Sequence, residues 1–255
     1  MKLEIAVASA EGAGIAATEG ADRIEICSSL ELGGITPSQG LMDAAAEQVA
    51  GRLEIHPLIR CRPGDFIYSA AELDTMGREA QHLLRQGAHG VVFGALGPGG
   101  EVDVPATRRL VEYARNANPS AQLTFHRAID QTPNAEAALN VLIGLGFTRV
   151  LSSGQAASAG AGLKTLARMA RFSAGRLQVM AGGGLRIHDI PTMKRSGMDA
   201  VHLSAKKAVS TLPPDSMPTG DRDRTDPTEY HVTDAETVRA ARTAGNCCLL
   251  PWTGC

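Results

Sequence analysis

Short runs with an apolar residue at every second position recur along the chain. Between them lie longer stretches in which apolar residues return every three or four positions. The two periods are those of a strand with one buried face and a helix with one buried stripe. Strands are predicted over 2–8, 22–27, 53–59, 90–95, 121–126, 148–153, 176–182 and 199–204. Helices are predicted over 11–19, 39–50, 70–86, 105–117, 134–144, 162–174, 186–195 and 233–244, with Pro105 and Pro133 as helix-starting residues. A junction of helix, glycine and β-branched run appears around Gly20, Gly87, Gly146 and Gly197. There glycine suits the left-handed position that ends a helix, and the chain turns directly into a strand. Regular alternation of strand and helix implies a parallel sheet, and eight strands imply a single-domain TIM-type (β/α)8 barrel. An open, doubly wound sheet is the competing arrangement.

The barrel core is assigned to 1–209. Residues 210–232, rich in Pro, Asp, Thr and Arg, are expected to form an exposed loop, 233–244 a C-terminal helix and 245–255 a flexible tail. The length of 255 residues suits one such barrel. Lys and Arg total 25 against 27 Asp and Glu, a net charge of −2, so no basic excess draws the chain to nucleic acid or an acidic membrane. No stretch is long and apolar enough to span a bilayer, and the start does not read as a signal peptide. A cytoplasmic protein with a small-molecule partner is expected. Its five cysteines are an odd number without exported context and are expected to be free thiols.

Strand parity changes the picture. In the second strand Ile24 and Ile26 share one face, leaving Arg23, Glu25 and Cys27 on the other. Helices cover apolar residues, so the charged face points to the barrel axis. The same parity turns inward Glu4 and Ala6 on the first strand and Glu54, His56, Leu58 and Arg60 on the third. It does so again for Thr124 and His126 on the fifth and for His202 and Ser204 on the eighth. Barrels of this type are normally filled with branched apolar side chains. Ionised groups buried without partners cost several kcal/mol each, so Glu–Arg and Glu–His pairs are expected among Glu4, Arg23, Glu25, His56, Arg60 and His126. One reading of such a network is a ligand site. The other, weightier for the deep residues Glu4, Arg23 and Glu25, is a satisfied ion-pair network that fixes strand register.

Several candidates sit where strands end, the face on which barrels bind ligands. Arg60, Arg62 and Arg127 suit an anionic substrate, because guanidinium pairs carboxylate or phosphate in bidentate fashion. A loop tied internally by Arg62 and Asp65 is the alternative. Gly182, Gly183 and Gly184 end the seventh strand, and their amides, with Ser152 and Ser153 after the sixth strand and Ser204 after the eighth, are expected to cradle a phosphate at a helix start. His202 is a further substrate contact. His56 or His126 paired to Glu25 would move protons. Metal-binding spacings such as Cys-x-x-Cys are missing, but Cys27 and Cys61 follow neighbouring strands and are candidates to share a soft ion with His56.

The segments Gly20-Ala21-Asp22-Arg23-Ile24-Glu25-Ile26-Cys27, Gly33-Gly34-Ile35-Thr36-Pro37-Ser38, His56-Pro57-Leu58-Ile59-Arg60-Cys61-Arg62-Pro63-Gly64-Asp65-Phe66, Thr124-Phe125-His126-Arg127-Ala128 and Val150-Leu151-Ser152-Ser153-Gly154 resemble the CutC family, named for copper homeostasis. The resemblance runs from about residue 3 to 205. It implies a TIM-like barrel, a cytoplasmic location, a homodimer and a role in copper homeostasis. Cu(I) is the ion it suggests, at Cys27 with Cys61 or a histidine. The residues themselves favour a different function, an enzyme acting on a small anionic or phosphorylated metabolite.

Overall fold

The computed structural model describes residues 1–210 and 229–246. Its strands are β1 (Lys2–Val7), β2 (Arg23–Ile26), β3 (Glu54–Pro57), β4 (Gly90–Phe93), β5 (Gln122–Phe125), β6 (Arg149–Ser152), β7 (Gln178–Ala181) and β8 (Ala200–Leu203). Between them run α1 (Ala10–Thr18), α2 (Gln39–Val49), α3 (Ala70–Arg85), α4 (Val104–Ala117), α5 (Ala135–Gly144), α6 (Leu163–Ser173) and α7 (Ile190–Arg195). The sheet order is β3-β2-β1-β8-β7-β6-β5-β4, parallel throughout. The ring closes between β3 and β4 through a parallel bridge of Leu58 with Val92. Two backbone bonds reinforce it, Ile59 N to Val92 O at 2.7 Å and His89 N to Ile55 O at 3.0 Å. A doubly wound sheet would leave two edges and would not place β1 beside β8, so the barrel expectation holds.

Local sequence explains the boundaries. Ser38, Ser69, Asp103 and Asn134 cap the helices that follow them by accepting a backbone N–H bond. Pro105 lies in the first turn of α4, as expected, whereas Pro133 stays outside α5, one residue before its cap. The four junction glycines all have positive φ, between 78° and 99°.

Strand parity separates two kinds of interior. Leu3, Ile5, Val7, Ile24, Ile26, Ile55 and Ile59 lie in the layer between sheet and helices, the main apolar core. Apolar residues on the barrel axis form only two small clusters, Cys27 with Leu58 and Val92, and Leu151 with Met180 and Ala200. The remaining axial space is polar.

After β8 the chain departs from expectation. Part of the stretch read as loop is a strand, β10 (Tyr230–Thr233), antiparallel to β9 (Lys206–Val209). Lys206, Lys207, Ala208, Tyr230 and His231 are all exposed, so no alternation marked the pair in the sequence. Helix α8 (Ala235–Asn246) follows. Most of the predicted loop, 211–228, and most of the predicted tail, 247–255, lie outside the described residues.

Candidate functional site

Parallel register brings Glu4 of β1 level with Arg23 of β2 on one side and His202 of β8 on the other, and Arg23 level with Glu54 of β3. Glu4 and Arg23 are fully buried and ion-paired. Arg23 Nη1 lies 3.5 Å from Glu54 Oε2. On its other side Glu4 accepts a bond from His202 Nδ1–H at 2.7 Å, and His202 Nε2 then stands 3.7 Å from Glu25 Oε2. The expected pairs therefore exist, but the imidazole beside Glu25 is His202.

Charge follows from this geometry. Burial pushes the Glu4 carboxyl up, but the Arg23 guanidinium and the His202 bond outweigh it and hold Glu4 well below the usual carboxylate range. Burial likewise opposes the His202 cation, yet the Glu4 bond and the Glu25 carboxylate raise its pKa. Glu25 has no such compensation. Burial, helped by the Glu4 charge and opposed by His202, raises its pKa to about 7.

A cavity of ≈ 490 Å³ opens at the C-terminal ends of the strands. Glu25 and His202 reach it from the axis, and His126, Arg60 and Arg127 from the loops after β5 and β3. Cys27, Gly183, Gly184 and Ser204 complete the part of its wall that the sequence singled out. Arg23 and His56 are not in its lining; both are fully buried.

The arginines of the mouth divide. Arg60 Nη1 donates to Leu32 O and Gly34 O, its Nη2 to Gly64 O, and its guanidinium stacks 5.1 Å over Phe66. It ties the loops after β2 and β3 together while remaining on the cavity wall. Arg62 is not in the lining. It pairs with Asp65 and Glu72 and donates to Ile67 O, so the internally tied loop is what the structure contains and the clamp expectation for Arg62 is corrected. Arg127 pairs through Nε with Asp130 at 2.9 Å and through Nη2 with Ser153 Oγ at 3.1 Å, leaving Nη1 without a partner among the described residues.

The guanidinium of Arg127 lies across Gly183, where a Cβ would come within 2.7 Å of it. Gly183 also has φ +90°, a conformation that L side chains rarely adopt. The amides of Gly183, Gly184 and Leu185 donate to no described residue, an arrangement suited to anion oxygens. Gly182 differs, since its N–H bonds Ser152 O at 3.0 Å. A 3-10 turn, Ile187–Asp189, follows the glycines where a helix was expected, with Asp189 accepting from Arg186 N–H. The expected helix start therefore contributes nothing to this turn. Ser152 and Ser153 are also outside the cavity lining, and both donate to Asp130.

The other two candidate histidines, His126 and His56, are held in the neutral form. Burial and the Arg60 charge lower His126 to about 3; its Nδ1 accepts from Ala128 N–H and its ring packs 4.7 Å from Phe66. Burial and the Arg23 charge hold His56 well below its usual value, and neither of its ring nitrogens has a hydrogen-bond partner among the described residues, Nε2 standing 3.9 Å from Glu54 Oε2.

Sequence reading missed Asp130 and Arg149. Asp130 organises Arg127 and both serines, and its position three residues after Arg127 was the available signal. Arg149 of β6 donates to Gln178 Oε1 at 3.0 Å, Thr124 Oγ1 at 2.9 Å and Gln122 Oε1 at 3.0 Å. Parity with the inward Leu151 would have found it.

The thiols do not fit a shared Cu(I) site. Cys27 packs inside the barrel with Leu58 and Val92, whereas Cys61 packs against the outer core and is not in the cavity lining. Burial and nearby carboxylates raise the pKa of both, so neither is a ready thiolate. Among the described residues no group of three or more His, Cys, Asp and Glu is placed to hold a metal.

These features define a TIM-type barrel with a cavity bearing charged side chains at its mouth. The profile of the CutC family matches residues 1–207, and the chain belongs to that family. A family protein CutC of Xanthomonas axonopodis pv. citri is 39% identical over 232 residues, 89% of this chain and 94% of the relative. One from Proteus mirabilis is 42% identical over 212 residues, 83% of this chain and 82% of the relative. The crystal structure of a Streptococcus agalactiae protein labelled copper homeostasis protein CutC superposes with a TM-score of 0.74 at 24% identity, covering 80% of this chain and 98% of that one. No helix among the described residues is long and apolar enough to cross a membrane.

Proposed function

We propose that this CutC-family barrel binds a small anionic metabolite, with a phosphate or carboxylate at Arg127 and the Gly183–Gly184 turn. The observation that carries the reading is the Arg127 guanidinium, held by Asp130 and Ser153 over a glycine turn with free amides on the cavity wall. A cavity of ≈ 490 Å³ is in the range of small-molecule sites. The acid–base groups behind the anchor suit an enzyme, and the near-neutral charge balance suits a protein without nucleic-acid or membrane partners. A cytoplasmic homodimer is part of the same reading through the family.

Calorimetric titration with inorganic phosphate and a panel of small phosphorylated metabolites tests it. Arg127→Ala is expected to weaken binding roughly 10-fold or more, the effect of losing one charge-assisted bond. Arg62→Ala is expected to leave it unchanged. Equal affinities in wild type and Arg127→Ala remove the anion site.

Copper handling is a second reading, favoured by the family label and by Cys27, the one thiol among the described residues on the cavity wall. Equilibrium dialysis against a Cu(I) competitor decides it: tight binding lost in Cys27→Ser supports the role, and identical weak binding in both proteins rejects it.

A further inference from the structure

The deep end of the cavity holds a carboxylate with no hydrogen bond to a described residue, beside an imidazole that has one. Glu25 opens on the cavity, and its one ion-pair contact among the described residues, His202 Nε2 at 3.7 Å, is beyond hydrogen-bonding range. His202 is not free to turn, because Glu4 accepts its Nδ1–H at 2.7 Å and Glu4 is itself fixed by Arg23. The second ring nitrogen is therefore aimed past Glu4 toward Glu25. A base and a proton donor face one space, and both are left available to a third molecule.

From this geometry we infer that Glu25 and His202 form a proton-transfer pair, with Glu4 as a positioning residue for His202. The ligand class is a phosphorylated hydroxy-aldehyde or hydroxy-ketone, in which a proton moves between neighbouring carbons. The inference rests on the anion-site reading above, since the phosphate at Arg127 places the carbon chain. Two alternatives for activating a carbonyl compound find no group here. Among the described residues no lysine lines the cavity to form an imine, and the Cys27 thiol is raised by burial and by Glu25, so it is no nucleophile.

The step balances without a co-reactant. A C–H bond beside the carbonyl breaks and its proton passes to the Glu25 carboxylate. The electron pair forms the C=C bond of an enediol as the carbonyl oxygen takes a proton from His202 Nε2. Glu25 then returns its proton to the former carbonyl carbon while His202 recovers one from the neighbouring hydroxyl, which becomes the new carbonyl. One carbon is reduced as its neighbour is oxidised. The groups facing Glu25 are Glu4 on β1, Arg23 on its own strand and His202 on β8, with the buried, neutral His56 level with it on β3. Burial, with the Glu4 charge, outweighs His202 and Arg23 and puts Glu25 near the operating pH, where a general base is most effective.

Deuterium uptake from D2O into dihydroxyacetone phosphate, glyceraldehyde 3-phosphate and the four- to six-carbon 2-keto sugar phosphates, followed by NMR, tests the pair, with binding of each probe measured alongside. Wild type is expected to place deuterium on the carbon next to the carbonyl, with a bell-shaped pH profile. Glu25→Gln is expected to lower uptake roughly 100-fold. Glu4→Gln is expected to shift the alkaline limb of the profile to lower pH, because His202 loses the partner that raises its pKa. Should Glu4→Gln not fold, His202→Gln keeps the Glu4–Arg23 pair and is expected to abolish that limb. A probe that binds without taking up deuterium, or an unshifted alkaline limb in folded Glu4→Gln, overturns the inference alone. Failure of every probe to bind overturns the anion site beneath it.

Discussion

Two arginines are buried inside this barrel on opposite walls, Arg23 on β2 and Arg149 on β6, and they are satisfied in opposite ways. Arg149 donates to two amide oxygens and one hydroxyl, all neutral and all inside the barrel. Through Gln122, whose Nε2 donates to Glu54 Oε1 at 3.0 Å, its network meets the Arg23 side of the barrel, but neither Arg149 nor any of its three partners lies on the cavity wall. Burial, together with the Arg23 charge, lowers its pKa to about 10. Arg23 meets carboxylates, and the chain of contacts continues from Glu4 through His202 to Glu25, which opens on the cavity. Both clusters bury charge at a cost in stability compared with an apolar filling. The difference is the open end. A polar cluster with no member on the cavity wall fixes register, whereas one that terminates in an unbonded carboxylate at the cavity can act on what enters.

The largest effect expected of breaking this contrast is on folding. Arg23→Met leaves Glu4 buried without its cation and is expected to cost about 3–5 kcal/mol. Arg149→Met orphans only neutral groups, each lost bond costing about 1 kcal/mol, and is expected to cost less in total. Urea denaturation of both variants ranks them. A larger loss at Arg149 would reverse the comparison.

A smaller effect of the opposite sign is expected at the open end. The Glu25 pKa is raised from 4.5 to about 7, so the folded protein binds more protons than the unfolded chain between those values. Stability contributed by this residue therefore falls as pH rises from 4.5 to 7, and above 7 the ionised form is a standing cost. Glu25→Gln is expected to be more stable than wild type at pH 8 by roughly 1–3 kcal/mol, an advantage that disappears near pH 4. Denaturation midpoints at the two pH values check it. A carboxylate that only braced the fold would give a loss at pH 8.

The charged interior was legible in the sequence because strand parity is local. Ile24 and Ile26 point Arg23 and Glu25 to the axis whatever the neighbouring strands do. The identity of Glu25's imidazole was not legible, because it depends on the register of β8 against β1, between residues 198 positions apart for His202 and Glu4. His56 had the right parity and is level with Glu25, but it is buried away from the cavity without a hydrogen bond to any described residue, and His126 is held by Ala128 N–H after β5. Arg62 was overvalued as a ligand group because its partners, Asp65 and Glu72, sit on the same loop and the following helix, where they are its nearest carboxylates. The β9–β10 pair escaped because exposed strands carry no hydrophobic signal.

The most direct test of the open-ended network is a pH titration of the side-chain carboxyl carbons by NMR, comparing wild type with Glu25→Gln. The account predicts one glutamate resonance with a midpoint near 7, missing in the variant and displaced when inorganic phosphate is added. A Glu25 resonance that titrates near 4.5 and ignores phosphate would mean that the charged interior serves only to hold the barrel together.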